Sequence, residues 1–153
     1  MRAIEPWVER PLTEFLGESA ARVTLLMTAS GQVVAQHGFT RSLDVMSAAA
    51  LGAGIMAATA ELARVMGSRP LDAVVHQGTG LGLYLAAFST PRGRWIGLVV
   101  FGAETSLGLV QLFFARLTQD LERAAPAAEP ARQVLAENFE DELNTSLRAL
   151  FGR

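Results

Sequence analysis

Hydrophobic positions near the start of the chain follow first a helical and then a strand spacing. Between Ile4 and Leu16 the apolar side chains recur every three or four residues, which predicts a helix. Pro11 lies inside this pattern, so the helix either kinks there or begins near it. Two β-rich runs follow at 22–28 and 32–38, and the short connection ending in Gly31 predicts a hairpin with a positive φ at that glycine. The chain therefore opens as a helix followed by two strands.

The central and later parts of the chain predict a second helix, three strands and a third helix. Asp44 stands where an N-cap belongs, and Gly67 stands where a long Ala-rich helix would end. Strand patterns follow at 71–78, 81–88 and 94–102, with a turn at 89–93. Thr105 or Ser106 can cap a helix that runs to about Ala124. Its apolar stripe consists of Leu107, Val110, Phe114, Leu117 and Leu121.

This order predicts an α+β domain with one five-stranded antiparallel sheet and helices packed on it. The domain should occupy residues 1–124, and the Pro/Ala-rich segment 125–130 should be a linker. Residues 131–153 should form an appended amphipathic helix, with an apolar face that includes Phe139, Leu143 and Leu147. The acidic residues between 137 and 142 lie off that face and are interpreted as a solvated surface.

The uncharged stretch from Val45 to Ala60 allows three interpretations. A membrane span needs about 20 apolar residues, and this run is shorter and bounded by charges, so no span is expected. Residues 52–57 match the dinucleotide fingerprint G-x-G-x-x-A, but a helix-forming Ala-rich segment precedes them where a buried strand is required. The remaining interpretation is a helix whose outer surface is covered by another protein.

A helical wheel assigns two faces to this stretch. Residues expected to face the sheet are Ala48, Leu51, Ile55, Ala58, Leu62 and Met66. Residues expected on the outer side are Met46, Ala49, Ala53, Met56, Ala57, Ala60 and Arg64. An exposed helix normally carries a polar stripe, whereas this side carries small residues and two methionines, which favours a protein contact. Burial of the whole helix within its own monomer is the alternative.

The composition excludes several kinds of chemistry. The formal charge is -2 and the pI about 5.7, so nucleic acid is not an expected partner. All 13 basic residues are arginine and there is no cysteine, which removes the P-loop lysine, Schiff-base chemistry, thiolate nucleophiles and disulfides. The N-terminal segment lacks the apolar core of a signal peptide, so we expect a cytoplasmic protein.

No residue pattern indicates a catalytic site, a metal or a cofactor. His37 and His76 have no metal-ligand spacing, and Ser30 and Ser89 lie in turns without a nucleophile motif. Arg92 and Arg94 lie at a hairpin tip, where an arginine either binds an anion or keeps the turn soluble. We therefore expect a binding protein or regulator and not an enzyme.

Three segments carry a resemblance to a known family: SAAALGAGIMAATAELARVMG, VVHQGTGLGLYLAAF and LVVFGAETSLGLVQLFFARL. With the order αββαβββα they resemble the roadblock / dynein light chain superfamily, and in particular its bacterial gliding-motility members. The likeness covers about residues 4 to 124. The acidic helix after the Pro-containing linker is similar to the C-terminal extension of those members.

The resemblance implies a homodimer in which the long second helices pair and the sheets join edge to edge. It implies a platform that binds one small Ras-like GTPase per two subunits and accelerates GTP hydrolysis without an arginine finger, at a cell pole or elsewhere in the cytoplasm. The outer-side residues 46, 49, 53, 56, 57, 60 and 64 would form the dimer and GTPase surface. Phe139, Leu143 and Leu147 would contact the GTPase away from its nucleotide. The alternatives are a scaffold or polarity adaptor that binds a GTPase or a response regulator without changing its turnover, and a small-ligand sensor.

Overall fold

The computed structural model describes residues 2–3, 5–38, 44–126 and 142–150. The helices are α1 (Glu9–Ser19), α2 (Val45–Val65), α3 (Leu107–Ala124) and α4 (142–150). The strands are β1 (Arg2–Ala3), β2 (Val23–Thr28), β3 (Val33–Gly38), β4 (Ala73–Gln77), β5 (Gly82–Thr90) and β6 (Gly93–Phe101). All pairings are antiparallel, in the order β1-β3-β2-β6-β5-β4. The α+β class and the five predicted strands are confirmed, and the two-residue β1 adds a sixth strand beside β3.

Pro11 marks the beginning of α1 and does not kink it. The chain forms a 3₁₀ turn at Pro6–Val8, and α1 starts at Glu9, so Pro11 lies in the first turn, where its missing N–H removes no helical hydrogen bond. The Trp7 ring stacks on Trp95 of β6 with ring centroids 5.6 Å apart. This contact fixes the N-terminal segment on the sheet.

Both predicted ends of α2 are confirmed. The Asp44 carboxylate accepts a hydrogen bond from the Ser47 N–H at 3.1 Å. At the other end Gly67 has a φ of +65°, and the N–H of Ser68 donates to the Ala63 carbonyl at 3.0 Å. This hydrogen bond closes a Schellman motif. The motif requires a positive φ at position 67, which glycine adopts without strain.

Alternating side chains of the sheet enter two separate cores. Leu26, Val99 and Phe101 face α1 and α3, together with the buried stripe residues of α3 from Val110 to Leu121. Leu25 and Leu98 point the other way and pack beneath α2. The sheet therefore lies between a layer of two helices and a layer formed by α2 alone. A single helix is too narrow to cover one whole face of a six-stranded sheet, and among the described residues nothing in this layer covers the outward side of α2. This second layer is therefore where a partner could bind.

Candidate interaction surface

The helix α2 contacts the sheet through a different face from the one predicted. Ala49, Ala53 and Met56 are buried against the sheet, in one cluster with Leu25 and Leu98. Their assignment to an outer contact surface was wrong. The physical reason is the close approach of α2, since a Cβ added at Gly52 would lie 3.3 Å from both Leu85 Cδ2 and Leu98 Cδ1. Small residues on α2 serve this helix–sheet contact and not a contact with a partner.

The exposed side of α2 is rotated by about a third of a turn from the predicted one. Leu51, Ala58, Leu62 and Met66, which were predicted to face the sheet, are exposed. Met46, Ala57, Ala60 and Arg64 are exposed as predicted, and the Arg64 guanidinium donates to the carboxylate of Glu61 on the same helix. We define the α2 outer face as Met46, Ala50, Leu51, Gly54, Ala57, Ala58, Leu62 and Val65.

The residues of the outer face are apolar and several are large, while the exposed Ser47 and Glu61 lie on the same side of α2. Met46 is 79% exposed, Leu51 69%, Leu62 55% and Val65 70%. In the described part of the chain, then, α2 is covered on one side only, so burial of the whole helix within its own monomer is excluded there. Exposed leucine, valine and methionine side chains along one helix are typical of a protein contact.

By length and composition alone α2 could cross a membrane. It has 21 residues with a mean hydropathy of 1.5 over its most apolar window, although its uncharged run is shorter and ends before Glu61, as the sequence indicated. One side of this helix nevertheless packs on the sheet through Ala49, Gly52 and Ala53. That packing identifies α2 as a helix of the folded domain.

Among the described residues, β4 is the last strand of the sheet and forms a free edge next to α2. Its inner residue Val74 packs beneath α2, whereas Val75 is exposed. The Asp72 carbonyl accepts from the Ala87 N–H at 2.8 Å, and the Gly78 N–H donates to the Leu81 carbonyl at 2.8 Å. In an antiparallel pair, the N–H and C=O groups of successive residues point alternately towards and away from the neighbouring strand. The even-numbered residues from 72 to 78 therefore direct these groups towards β5. The odd-numbered residues Ala73, Val75 and Gln77 direct their N–H and C=O groups to the free edge.

A cavity of about 340 Å³ opens beyond the end of β4. The turn at 78–81 forms one wall, and Phe101 and Leu107 supply apolar surface. Ser106 also lines it but is engaged as the N-cap of α3, where its hydroxyl accepts from the Leu109 N–H at 3.3 Å. The volume of the cavity lies at the lower end of the range for small-molecule pockets, and few polar side chains line the cavity.

The remaining candidate residues do not form a chemical site. His37 lies on β3 and His76 on β4, with β2, β6 and β5 between these strands, so the two imidazoles cannot share a metal. Burial lowers the pKa of His37, which favours the neutral form. In the described ranges no group of three or more histidine, aspartate or glutamate residues could hold a metal ion.

The other sequence motifs have structural roles. Arg94 donates to Asp72 at 2.7 Å, and Arg92 lies 3.3 Å from Glu5, so both hairpin arginines pair with carboxylates of the same chain. Residues 52–57, which match the nucleotide fingerprint, lie in the middle of α2 and form no phosphate-binding loop.

The C-terminal helix α4 exposes its apolar side chains. Leu143, Leu147 and Leu150 are 49%, 42% and 78% exposed and share one side at helical spacing. Phe139, the third predicted contact residue of this segment, lies outside the described residues, as does most of the predicted linker.

Known structures share this arrangement of sheet and helices. The chain is similar to Myxococcus xanthus MglB, with 28% identity, a TM-score of 0.71 and coverage of 78% of this chain and 95% of that one. It is 31% identical to the gliding protein mglB from Thermus thermophilus, with a TM-score of 0.69 and coverage of 80% and 90%. A Roadblock/LC7 domain from Streptomyces avermitilis, 17% identical over 72% and 91% of the chains, has the same fold at a TM-score of 0.62. No protein-family model and no curated protein matches the sequence.

The five strands β2 to β6, with α2 alone on one side of the sheet and α1 and α3 on the other, have the fold of a roadblock domain. At 31% identity over most of both chains, the chain belongs to the MglB family.

Proposed function

We propose that this chain forms a homodimeric platform that binds a small Ras-like GTPase and stimulates its GTP hydrolysis in the cytoplasm, including at a cell pole. The observation that carries the proposal is the α2 outer face, where Leu51 and Val65 are 69% and 70% exposed. A monomer in water would leave these side chains hydrated, and each large apolar side chain that is fully buried contributes about 1.5–3 kcal/mol. Membership of the MglB family supports the choice of partner.

Two neighbouring features support a homodimer. The outer face of α2 is apolar, and β4 beside it has a free edge with outward-directed backbone groups. A single two-fold axis at the β4 edge would pair the two strands and bring the two α2 helices side by side. Such a closed, self-complementary contact is the commonest arrangement of homo-oligomers. The paired helices would then present a continuous surface to one GTPase.

The mode of stimulation that we propose is a rearrangement of the switch elements of the GTPase itself. An arginine finger must be free to reach the transferred phosphate. Arg64, the arginine on the predicted surface, is paired with Glu61, and the Glu61 carboxylate raises its pKa. Met46 and Ala57 are proposed to lie within the contact as part of the α2 outer face, and the exposed Ala60 and Arg64 are proposed to border it.

The helix α4 is proposed to make a second contact with the GTPase, away from the nucleotide. Leu143 and Leu147 lie one helical turn apart on the same side and are exposed. Phe139 is proposed to extend this stripe. An exposed amphipathic helix of this kind can fit an apolar groove of a partner.

A scaffold or polarity adaptor is the second candidate function. The α2 outer face consists of apolar side chains, which supply binding area, and the exposed Glu61 and Ser47 on the same side of the helix are engaged with Arg64 and Asp44. An adaptor of this kind would bind a GTPase or a response regulator and leave its turnover unchanged.

The experiment measures single-turnover GTP hydrolysis by a Ras-like GTPase of the same organism with and without an excess of this protein. We expect acceleration with the natural chain and loss of it with Leu51→Glu, because the charge would lie within the α2 outer face. The matched control is Leu112→Glu, since Leu112 is exposed on α3, on the opposite side of the sheet. Binding without acceleration would favour the adaptor, and no binding would contradict both functions.

A further inference from the structure

The turn between β2 and β3, residues 28–32, stands beside α2. A Cβ added at Gly31 would lie 3.3 Å from Ala50 Cα and 3.4 Å from Ala53 Cβ, so the turn is in van der Waals contact with the helix. The strands β2 and β3 lie towards the opposite end of the strand order from β4, so the turn flanks α2 on the side away from the β4 edge. Since Ala50 belongs to the α2 outer face, the turn and that face form one continuous surface.

Hydrogen bonds within the β2–β3 turn hold it in one conformation. The Gly31 N–H donates to the Thr28 carbonyl at 2.9 Å, and the Thr28 N–H donates to the Gln32 carbonyl at 2.8 Å. With a φ of +92° at Gly31, this is a three-residue hairpin loop closed by a glycine. The Thr28 hydroxyl also accepts from the Gln32 N–H at 3.1 Å and lies 3.0 Å from the Ser30 hydroxyl. A segment held in this way loses little conformational entropy when a partner covers it.

The exposed side chains of the turn are polar and uncharged. Ser30 and Gln32 are exposed, and no charged residue occurs between Val23 and Gln36. The Ser30 hydroxyl and the Gln32 amide can each donate and accept a hydrogen bond. Stable protein contacts combine an apolar centre with a polar rim. The α2 outer face supplies such a centre, and the turn beside it supplies polar groups for the rim.

The area of a stable contact requires more than α2. A helix of 21 residues is about 30 Å long with an exposed side about 10 Å wide, so two α2 helices together offer about 600 Å². A stable contact buries about 800 Å² on each partner. In the proposed homodimer the β4 side of each helix faces the second copy, which leaves the side with the β2–β3 turn for the remaining area.

We propose that the β2–β3 turn forms the polar rim of the GTPase contact and that Ser30 and Gln32 determine which Ras-like GTPase is accepted. The inference rests on the proposed function and adds specificity-determining residues to it. A matching GTPase offers a main-chain carbonyl or N–H group of an exposed loop to each of these side chains. A GTPase with apolar groups at the same points covers the hydroxyl and the amide without satisfying them, which weakens binding by about tenfold for each group.

The first measurement is the dissociation constant, by isothermal titration calorimetry with a Ras-like GTPase of the same organism carrying a non-hydrolysable GTP analogue. The double variant Ser30→Ala and Gln32→Ala is compared with the natural chain and with Gln111→Ala, a matched control because Gln111 is exposed on α3. We expect the double variant to bind about tenfold more weakly, since two hydrogen bonds are lost, and the control to bind like the natural chain. Natural affinity of the double variant, together with loss of binding by Leu51→Glu, would overturn this inference and leave the proposed function intact.

The second measurement tests specificity with a Ras-like GTPase of a distant organism. We expect the natural chain to prefer the GTPase of its own organism and the double variant to lose most of that preference. Equal affinity of the natural chain for both GTPases, or a preference that the double variant retains in full, would overturn the specificity role of Ser30 and Gln32.

Hydrogen exchange of the natural full-length chain tests the contact without any substitution. We expect the amides of residues 29–32 to exchange more slowly when the GTPase is added, and to be unaffected when the concentration of the chain alone is raised. Protection by self-association alone would assign the turn to a contact between copies and overturn this inference. A natural chain that does not bind the GTPase at all would contradict the proposed function itself, and this inference with it.

Discussion

The ring of Phe114 on α3 lies directly on Gly97 in the middle of β6, so that a Cβ at Gly97 would overlap the Cε2 and Cζ atoms of that ring. The same ring meets Phe15, Tyr84 and Phe88 edge-on, with centroids 5.5–6.0 Å apart. Phe114 therefore connects α1, α3 and the sheet, and the absence of a side chain at position 97 gives it room.

Replacing Gly97 by alanine should destabilise the domain. Neither the strand nor the four-ring cluster can move freely, so the extra methyl group should lower the free energy of unfolding by about 1–3 kcal/mol. Urea denaturation followed by circular dichroism measures this value. The control is Gly17→Ala in α1, where a Cβ would meet nothing within 4 Å and should stabilise the domain by about 0.5–1 kcal/mol. Equal stability of Gly97→Ala and the natural chain would show that the ring does not constrain this position.

Arginine substitutions on the two sides of α2 should have opposite effects. Ala53 is buried against the sheet, so Ala53→Arg should destabilise the monomer by about 3 kcal/mol or more. Ala58 is exposed on the outer face, so Ala58→Arg should leave the fold intact and prevent assembly. Thermal unfolding and gel filtration of both variants measure the two effects. A folded Ala53→Arg variant that fails to assemble would show that Ala53 lies on the outer contact surface, as predicted from the sequence.

The N-cap of α2 should make stability depend on pH. The side-chain and backbone hydrogen bonds from Ser47 lower the pKa of Asp44 below the ordinary value for aspartate. A carboxyl group whose pKa is lower in the folded state contributes its stabilisation above the pKa of the unfolded state and loses it as the pH falls through the folded pKa. The free energy of unfolding should therefore decrease on acidification.

The variant Asp44→Asn keeps an oxygen that can accept from the Ser47 N–H but has no titrating group. We expect its free energy of unfolding to vary less with pH than that of the natural chain. Ser47→Ala, which lacks the hydroxyl that donates to Asp44 at 2.7 Å, should also reduce the dependence. Identical pH profiles for all three proteins would exclude Asp44 as the source.

The leucines of α4 should affect partner binding and not the stability of the domain. Leu143 and Leu147 are exposed, so the double variant Leu143→Asp and Leu147→Asp should unfold within about 0.5 kcal/mol of the natural chain. Its affinity for the GTPase should fall, which isothermal titration calorimetry measures. A large loss of domain stability would show instead that α4 packs on its own domain.

The pattern of side chains is sufficient to predict the elements of the fold and their ends, since Asp44, Gly67 and Ser106 cap helices as expected. The face of α2 could not be predicted in the same way. Alanine, glycine, leucine and methionine surround this helix on all sides, so hydrophobicity alone gives weak information about which side is buried.

The decisive quantity for α2 is the distance between helix and sheet, which depends on residues distant in the sequence. Leu85 and Leu98 fill the space beneath Gly52, and the small residues of α2 face them for that reason. A rule that places large apolar residues inside therefore assigns Leu51 and Leu62 to the wrong side. The free edge of β4 also escapes sequence analysis, because it follows from the order of the strands and not from the composition of any one strand.

The short strand β1 limits how far such sheets can grow. It covers part of β3 with only two residues, so in the described part of the molecule the long unpaired edge is that of β4. Once that edge is used, a joined pair of sheets ends on both sides at β3, whose central residues Ala35 and Gln36 are already paired with β1, so only short runs of backbone are left to recruit a third subunit. Edge-to-edge growth would stop at two copies, and the apolar strands would be protected from fibril-like polymerisation.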